Sequence, residues 1–376
     1  MSLTMHKPLL MIPGPTDSPP EVLRRCGLPT FPHYEGDFPA FYKQLVDKMK
    51  PIFGTTEGTV QIANGSGTTA VCMMLASILT PDDSVLVIHN GGFGDYAEAN
   101  VRCLGVPCTV VKGEHGTVID CAKVREEMRR GGHSFILVTH NESSTAIVNP
   151  LPPLGEIARE FGALLLVDSV SGVGGVVIDM DGSGADVVAG ASQKCLELPP
   201  GLGLVAIGPR AWDHLRAMEN RRVPYVLDIV RWQNSFETRG DWHPQLTTGA
   251  TTMLYALDWM ADRINEEGIA NRQERFRAAG DYLKAGMVEL GFGNPTDPRH
   301  ASPVLSEFTM PEGILASAFR SWCVAERNTM IGGGMRVNAA GDGISFRVAH
   351  FGLAAERGRM DHMLGIAREF LTGRQP

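Results

Sequence analysis

The chain has 376 residues, 43% of them hydrophobic and 20% charged, enough for a large core and a second smaller one, which excludes a disordered chain and a disulfide-stapled mini-fold. A net charge of −8 argues against a nucleic-acid surface, and no run of 18 apolar residues is present to span a membrane. Seven cysteines, an odd number with no Cys-x-x-Cys, together with a start that lacks a signal-peptide pattern, lead us to expect a reduced, cytoplasmic protein.

In chain order, the first 20 or so residues, with Ile12-Pro-Gly-Pro-Thr16, read as an irregular arm (1–20). Short apolar runs then alternate with amphipathic stretches. Val60–Ala63, Ser84–Ile88, Cys108–Val111, Phe135–Thr139, Ala163–Val167, Asp186–Gly190 and Leu202–Ile207 predict strands. Between them Thr68–Leu79, Asp95–Cys103, Asp120–Arg130 and Leu154–Phe161 have helical spacing. Several strands are apolar on both faces, as a parallel sheet covered by helices requires. The fold class is therefore α/β: a large domain (21–264) built on a mostly parallel seven-stranded sheet, with a smaller α+β domain (265–376). Long helices are expected near 248–267 and 269–290, then a helix near 312–328, a strand at Ile344–His350 and a closing helix at 356–372.

Sheets of this kind bind ligands where strands end in loops, and three such places stand out. Asn64-Gly-Ser-Gly-Thr-Thr-Ala70 joins a strand to a helix with two glycines and three hydroxyls, which suits a phosphate at a helix N-terminus; a plain turn is the alternative. The same residues satisfy Gly-x-Gly-x-x-Ala, a dinucleotide fingerprint. That reading is weakened because the next strand ends in His89-Asn90-Gly91, while the acidic pair Asp82-Asp83 precedes it. Asp168 follows four apolar residues at a strand's end, where a carboxylate needs a cationic partner, unless it is a cap or turn. Lys194, in Gly190-Ala-Ser-Gln-Lys194, sits among small and apolar residues where an ammonium is desolvated and its pKa falls, as a Schiff-base lysine needs; alone it could be a surface lysine. Together a phosphate cup, a buried acid and a desolvated lysine make a kit for pyridoxal 5′-phosphate.

With these motifs the chain resembles the class V aminotransferases of the fold-type I pyridoxal-phosphate enzymes, in particular the alanine–glyoxylate / serine–pyruvate branch. The resemblance is carried by Pro13-Gly-Pro15, Gly65-Ser-Gly-Thr68, Asn90-Gly-Gly-Phe-Gly94, Thr139-His-Asn-Glu-Ser-Ser-Thr145, Val167-Asp-Ser-Val-Ser-Gly172, Ser192-Gln-Lys-Cys-Leu196 with Pro199-Pro-Gly201, and Phe346-Arg-Val-Ala-His-Phe-Gly352. It implies that Ser66, Gly67, Thr68 and Gln193 bind the cofactor phosphate, that Phe93 and Val170 pack on the two faces of its ring, that Ser143 meets the ring hydroxyl and that Asp168 holds the ring nitrogen. Lys194 would carry the cofactor as an aldimine in a ping-pong transamination. Arg347 and Gly14 would bind substrate, Arg347 clamping its carboxylate.

Thr248 aligns with a stretch that reaches a neighbouring subunit's phosphate, implying a homodimer or higher homo-oligomer. Many relatives have a tyrosine where Gln245 stands, which leaves the role of Gln245 open. The implied reaction moves an amino group from a small amino acid, alanine or serine in type, to glyoxylate or pyruvate. The alternatives are a 2-aminoethylphosphonate–pyruvate aminotransferase, for which Arg336, Arg221 and Arg222 are candidate phosphonate contacts, and a cysteine desulfurase-type lyase. The lyase is disfavoured because Gln193 precedes the lysine and Cys195 and Cys323 lie on no mobile loop. The histidines form no ligand cluster, so no metal is expected.

Overall fold

The computed structural model describes residues 7–219 and 221–373. Its strands, in chain order, are β1 (Leu9–Met11), β2 (Thr59–Gly65), β3 (Val85–His89), β4 (Cys108–Lys112), β5 (Phe135–Thr139), β6 (Asn141–Glu142), β7 (Ile147–Val148), β8 (Leu164–Asp168), β9 (Val187–Ala191), β10 (Gly201–Ile207), β11 (Leu305–Thr309), β12 (Thr329–Gly333) and β13 (Ser345–Ala349).

The large sheet has the order β2-β10-β9-β8-β5-β3-β4. All its strands run one way except β10, which is antiparallel to both neighbours. This is the mostly parallel seven-stranded sheet that the apolar runs predict. Alternation explains why those runs are apolar throughout. Ile136, Val138, Leu165 and Val167 pack into a core on one face, while Phe135, Leu137, Leu164 and Leu166 pack into another on the opposite face. Helices Gly67–Ile78, Gly92–Cys103, Cys121–Gly131 and Leu151–Glu160 fall close to the predicted stretches.

The helix Phe38–Phe53 is absent from the sequence reading. It buries Tyr42, Leu45, Val46, Met49, Ile52 and Phe53, the spacing of a one-sided helix, and stops at Gly54, whose φ of 69° closes the last turn onto Lys50 and Pro51 carbonyls. Helices Pro209–Ala217 and Ile229–Arg239 were likewise not among the expected elements.

A second sheet, β1-β12-β13-β11, belongs to the C-terminal part. It packs with helices Ile269–Glu289, Ala316–Arg327 and Arg357–Thr372 around Phe308, Phe319, Phe346 and Phe370. The N-terminal arm is less irregular than expected. Leu9–Met11 pairs parallel to Thr329–Ile331, because an apolar Leu-Leu-Met run beside an open strand edge satisfies its backbone groups by joining that sheet. Chain that precedes the large sheet in sequence is thereby held by the small one. None of the described helices is long and apolar enough to cross a membrane.

Candidate active site

The carboxyl ends of β5, β8 and β9 lie side by side. In register, Asp168 stands between Thr139 on β5 and Ala189 on β9. The chain leaves β9 at Ala191 and reaches Lys194 after one turn of loop. Asp168 is 6% exposed and accepts a hydrogen bond from Val170 N at 2.9 Å. Burial, with the nearby Glu142 charge adding to it, pushes its pKa up to about 6 against the opposing effect of that hydrogen bond and of Lys194. Lys194 is shifted the other way: burial lowers its pKa, and Arg347 adds to the effect. Its Nζ donates to Pro13 O at 2.8 Å. Gly14 makes that approach feasible, since a Cβ there would lie 2.6 Å from Lys194 Cδ.

The Gly65–Thr69 turn opens the helix Gly67–Ile78, with Ser66 N donating to Thr69 Oγ1 at 3.1 Å. Gly67 is the close-approach position. A Cβ there would meet Val170 Cγ1 at 2.4 Å and Ala191 Cβ at 3.1 Å, so the bare backbone brings the positive end of the helix beside the Asp168 loop. Thr68 is exposed and its Oγ1 accepts from Tyr96 OH at 3.4 Å. Asn64 spans the gap to the loop ahead of the next long helix: its amide donates to Thr248 O at 2.5 Å and accepts from Ala250 N at 3.0 Å. The Thr248 side chain is exposed within the single chain.

Above Lys194 opens a cavity of about 710 Å³, lined among others by Gly14, Phe93, Ser143, Arg320 and Arg347. Asp168 and Val170 line a deeper recess shared with Phe93, Ser143 and Lys194. Phe93, 36% exposed, faces this space rather than joining the core. Arg347 projects from β13, with Nε donating to Gly333 O at 2.5 Å and Nη1 to Ser143 O at 2.7 Å. Four buried oxygens near the recess, Thr139 Oγ1, Asn141 Oδ1, Ser143 Oγ and Gln193 Oε1, have no hydrogen-bond partner among the described residues. Buried polar atoms are rarely left so, and a polar ligand is the ordinary remedy.

Residues 33–337 match the aminotransferase class-V family. The chain is 31% identical over 358 residues to an uncharacterized aminotransferase of Methanocaldococcus jannaschii, covering 95% of this chain and 91% of that one. It is 30% identical over 337 residues to rat alanine–glyoxylate aminotransferase, covering 89% and 81%. The solved alanine–glyoxylate aminotransferase of a Nostoc species superposes with a TM-score of 0.92 at 26% identity, covering 99% of this chain and 97% of that one.

The chain is a class-V aminotransferase.

For an aminotransferase of this family, pyridoxal phosphate is the implied cofactor. Several residues around its site carry no signal in the motifs as read. Glu142 is one: its buried carboxylate accepts from Phe93 N, Gly94 N, Ser144 N and Ser144 Oγ, so it caps the helix that presents Phe93. It lay inside the quoted Thr139–Thr145 motif, but only the β6–β7 turn reveals where it points. Arg320, from a helix far along the chain, is another. The three arginines considered for a phosphonate do not line the cavity. Arg336 is paired with Glu307 at 3.2 Å, and Arg221, held by Asp228 at 2.9 Å, lines a different cavity together with Arg222. Gln245 is buried against Gly249 and does not reach outward. Cys195 and Cys323 are both sealed, and burial pushes each thiol up to about 12, so neither is poised as the thiolate of a desulfurase-type reaction. Among the described residues no group of three or more His, Cys, Asp or Glu side chains is placed to hold a metal.

Proposed function

We propose that this aminotransferase transfers an amino group from a small amino acid of the alanine or serine type to glyoxylate or pyruvate, using pyridoxal 5′-phosphate held at the strand ends of the large sheet. The observation that carries the reading is that Lys194 lines both the cavity that Arg347 enters and the deeper recess that Asp168 closes, a recess whose surroundings contain unpartnered polar atoms. Those atoms suit a ring that bears both hydrogen-bonding groups and charge. Bound there, the cofactor supplies an electron-withdrawing ring that stabilises negative charge at the substrate Cα.

The chain's own residues account for the rest. Ser66, Gly67, Thr68 and Gln193 would hold the phosphate at the positive helix end. Phe93 and Val170 would pack on the ring, Ser143 would take its hydroxyl, and Asp168 would pair with its nitrogen. A protonated ring nitrogen would return Asp168 to its charged form, since an opposite charge offsets burial. Lys194, with basicity lowered by burial and Arg347, has more neutral amine at neutral pH to hold the cofactor and then to move the Cα proton. Arg347 would grip the substrate carboxylate with the donors its backbone partners leave free. Gly14 would keep the floor beside Lys194 clear. The named activities of the rat and Nostoc relatives favour glyoxylate as acceptor. Thr248, exposed here and tied to the phosphate turn through Asn64, supports a homodimer in which it reaches a second copy's phosphate.

The deciding experiment is a half-reaction screen that follows loss of the holoenzyme's visible band with each amino donor. Alanine or serine should bleach it. Bleaching by 2-aminoethylphosphonate alone would overturn the reading in favour of that donor. Borohydride reduction should fix the cofactor on Lys194, and Lys194→Ala should abolish turnover. A fully active monomer in analytical ultracentrifugation would end the dimer assignment.

A further inference from the structure

Two guanidinium groups share the cavity above Lys194, and the reaction described so far uses one. Arg347 lies deeper, tied through Nε to the carbonyl of Gly333. Arg320 comes from the helix Ala316–Arg327 and lies against the same glycine. A Cβ on Gly333 would fall 3.0 Å from Arg320 Nη1 and 3.3 Å from its Cζ. Glycine there leaves the room that lets both cations face one space.

Arg320 makes no ion pair and no hydrogen bond among the described residues. The neighbouring arginine Arg336 is by contrast neutralised by Glu307, with Nη2 also on His115 O at 3.4 Å. Glu307, opposite Arg347 in the pairing of β11 with β13, is thus already engaged by Arg336 and by His115. Ser317, Arg320, Ser321 and Val324 recur at helical spacing, and all four line the cavity. The cavity therefore has a hydroxyl-flanked cation on its outer wall as well as a clamped cation on its inner one. Burial lowers the pKa of Arg347, and repulsion from Arg320 adds to it against the pull of Glu307 and Glu142, so the two cations do sense each other. Like charges in a confined space are unfavourable, and an anionic ligand facing both offsets that cost.

We propose that Arg320, flanked by Ser317 and Ser321, receives a second acidic group on one of the two transamination partners, so that the pocket takes a dicarboxylic amino acid or its 2-oxo acid in addition to small monocarboxylates. Two planar forks on one cavity suit two carboxylates better than one, which favours a dicarboxylate over a single phosphonate. This inference rests on the aminotransferase reading for which group reacts, but not for which anions bind.

The test is calorimetric titration of the holoenzyme with succinate and with acetate, neither of which can react, in wild type, Arg320→Ala and Arg320→Lys. Wild type should bind succinate at least about tenfold more tightly than acetate, and Arg320→Ala should lose most of that preference while Arg320→Lys keeps part of it. In parallel half-reactions, the ratio of kcat/KM for aspartate or glutamate to that for alanine should fall by about 10- to 100-fold in Arg320→Ala. Equal affinity for succinate and acetate in wild type, or a succinate preference unchanged in Arg320→Ala, overturns the proposal. Arg320-dependent binding of O-phosphoserine without any succinate preference overturns the dicarboxylate assignment. Failure of every amino acid to bleach the cofactor would sink the aminotransferase reading, and the succinate titration would still decide the anion site.

Discussion

An aspartate sealed at the end of a central strand must be protonated, paired or strained. Asp168 has only one backbone donor and a lysine at some remove, and its pKa is raised to about 6. The unfolded chain releases that proton near 3.8, so between these values the folded state holds the extra proton. By linkage, unfolding free energy falls as pH rises through this window, and the full deficit, about 3 kcal/mol, is present above it. Denaturant unfolding of cofactor-free protein between about pH 4 and pH 7 should therefore show less loss of stability in Asp168→Asn than in wild type. Identical slopes would show that Asp168 is not the group concerned. Arg347 yields a second prediction. Two of its nitrogens donate to the carbonyls of Gly333 and Ser143, which fixes the plane of the fork and leaves its other donors free, a geometry that a point-charge ammonium cannot copy. Arg347→Ala should slow the alanine half-reaction by about 10²-fold or more, and Arg347→Lys should recover little of it, as rapid-mixing kinetics would register.

Among the elements, the helix Gly67–Ile78 is positioned by what is missing from its first residue. Adding one methyl at Gly67 drives a carbon into Val170 and Ala191, neither of which is the free end of a flexible chain. Gly67→Ala should cost about 1–3 kcal/mol of stability in the cofactor-free protein and weaken cofactor binding as the helix end moves back. Trimming the obstacle with Val170→Ala should restore part of that stability in the double variant, a coupling measurable by a denaturant cycle. Additive losses would mean that the two side chains do not meet. This contact illustrates what was legible in the chain and what was not. The glycines, hydroxyls and helical period of residues 64–79 mark a phosphate-sized turn from sequence. Val170 lies about a hundred residues away, and only the strand order β2-β10-β9-β8 brings it there. The two-residue strands β6 and β7 have no period to read at all, which is why Glu142 escaped notice as the cap of the Phe93 helix.

At the scale of the whole molecule, the loop that carries Lys194 is anchored from the C-terminal part of the chain. Arg272, 4% exposed on the helix Ile269–Glu289, donates to Gly174 O at 2.8 Å and Cys195 O at 3.2 Å and pairs with the buried Glu197. Removing the cation leaves Glu197 buried without its partner, so Arg272→Met should destabilise the protein by about 3–5 kcal/mol, and adding Glu197→Gln should recover part of the loss. Thermal or denaturant unfolding of the single and double variants checks both claims, and a single variant as stable as wild type would refute them.

Local sequence was enough for the strands of the large sheet and the helices between them over residues 60–207, for the parallel sheet and for Asp168 and Lys194 at its strand ends. Each of those is written in short-range periodicity and in the chemical cost of burying Asp168 and Lys194. Tertiary structure alone decided that Leu9–Met11 closes the small sheet, that Pro13 O receives Lys194, that Arg336 is spent on Glu307 and that Arg320 lines the cavity above Lys194 with no ion-pair partner among the described residues. The physical reason is the same in every case. An arginine's partner, or a strand's open edge, lies at a separation along the chain that no local pattern encodes, and it is chosen only when distant elements pack.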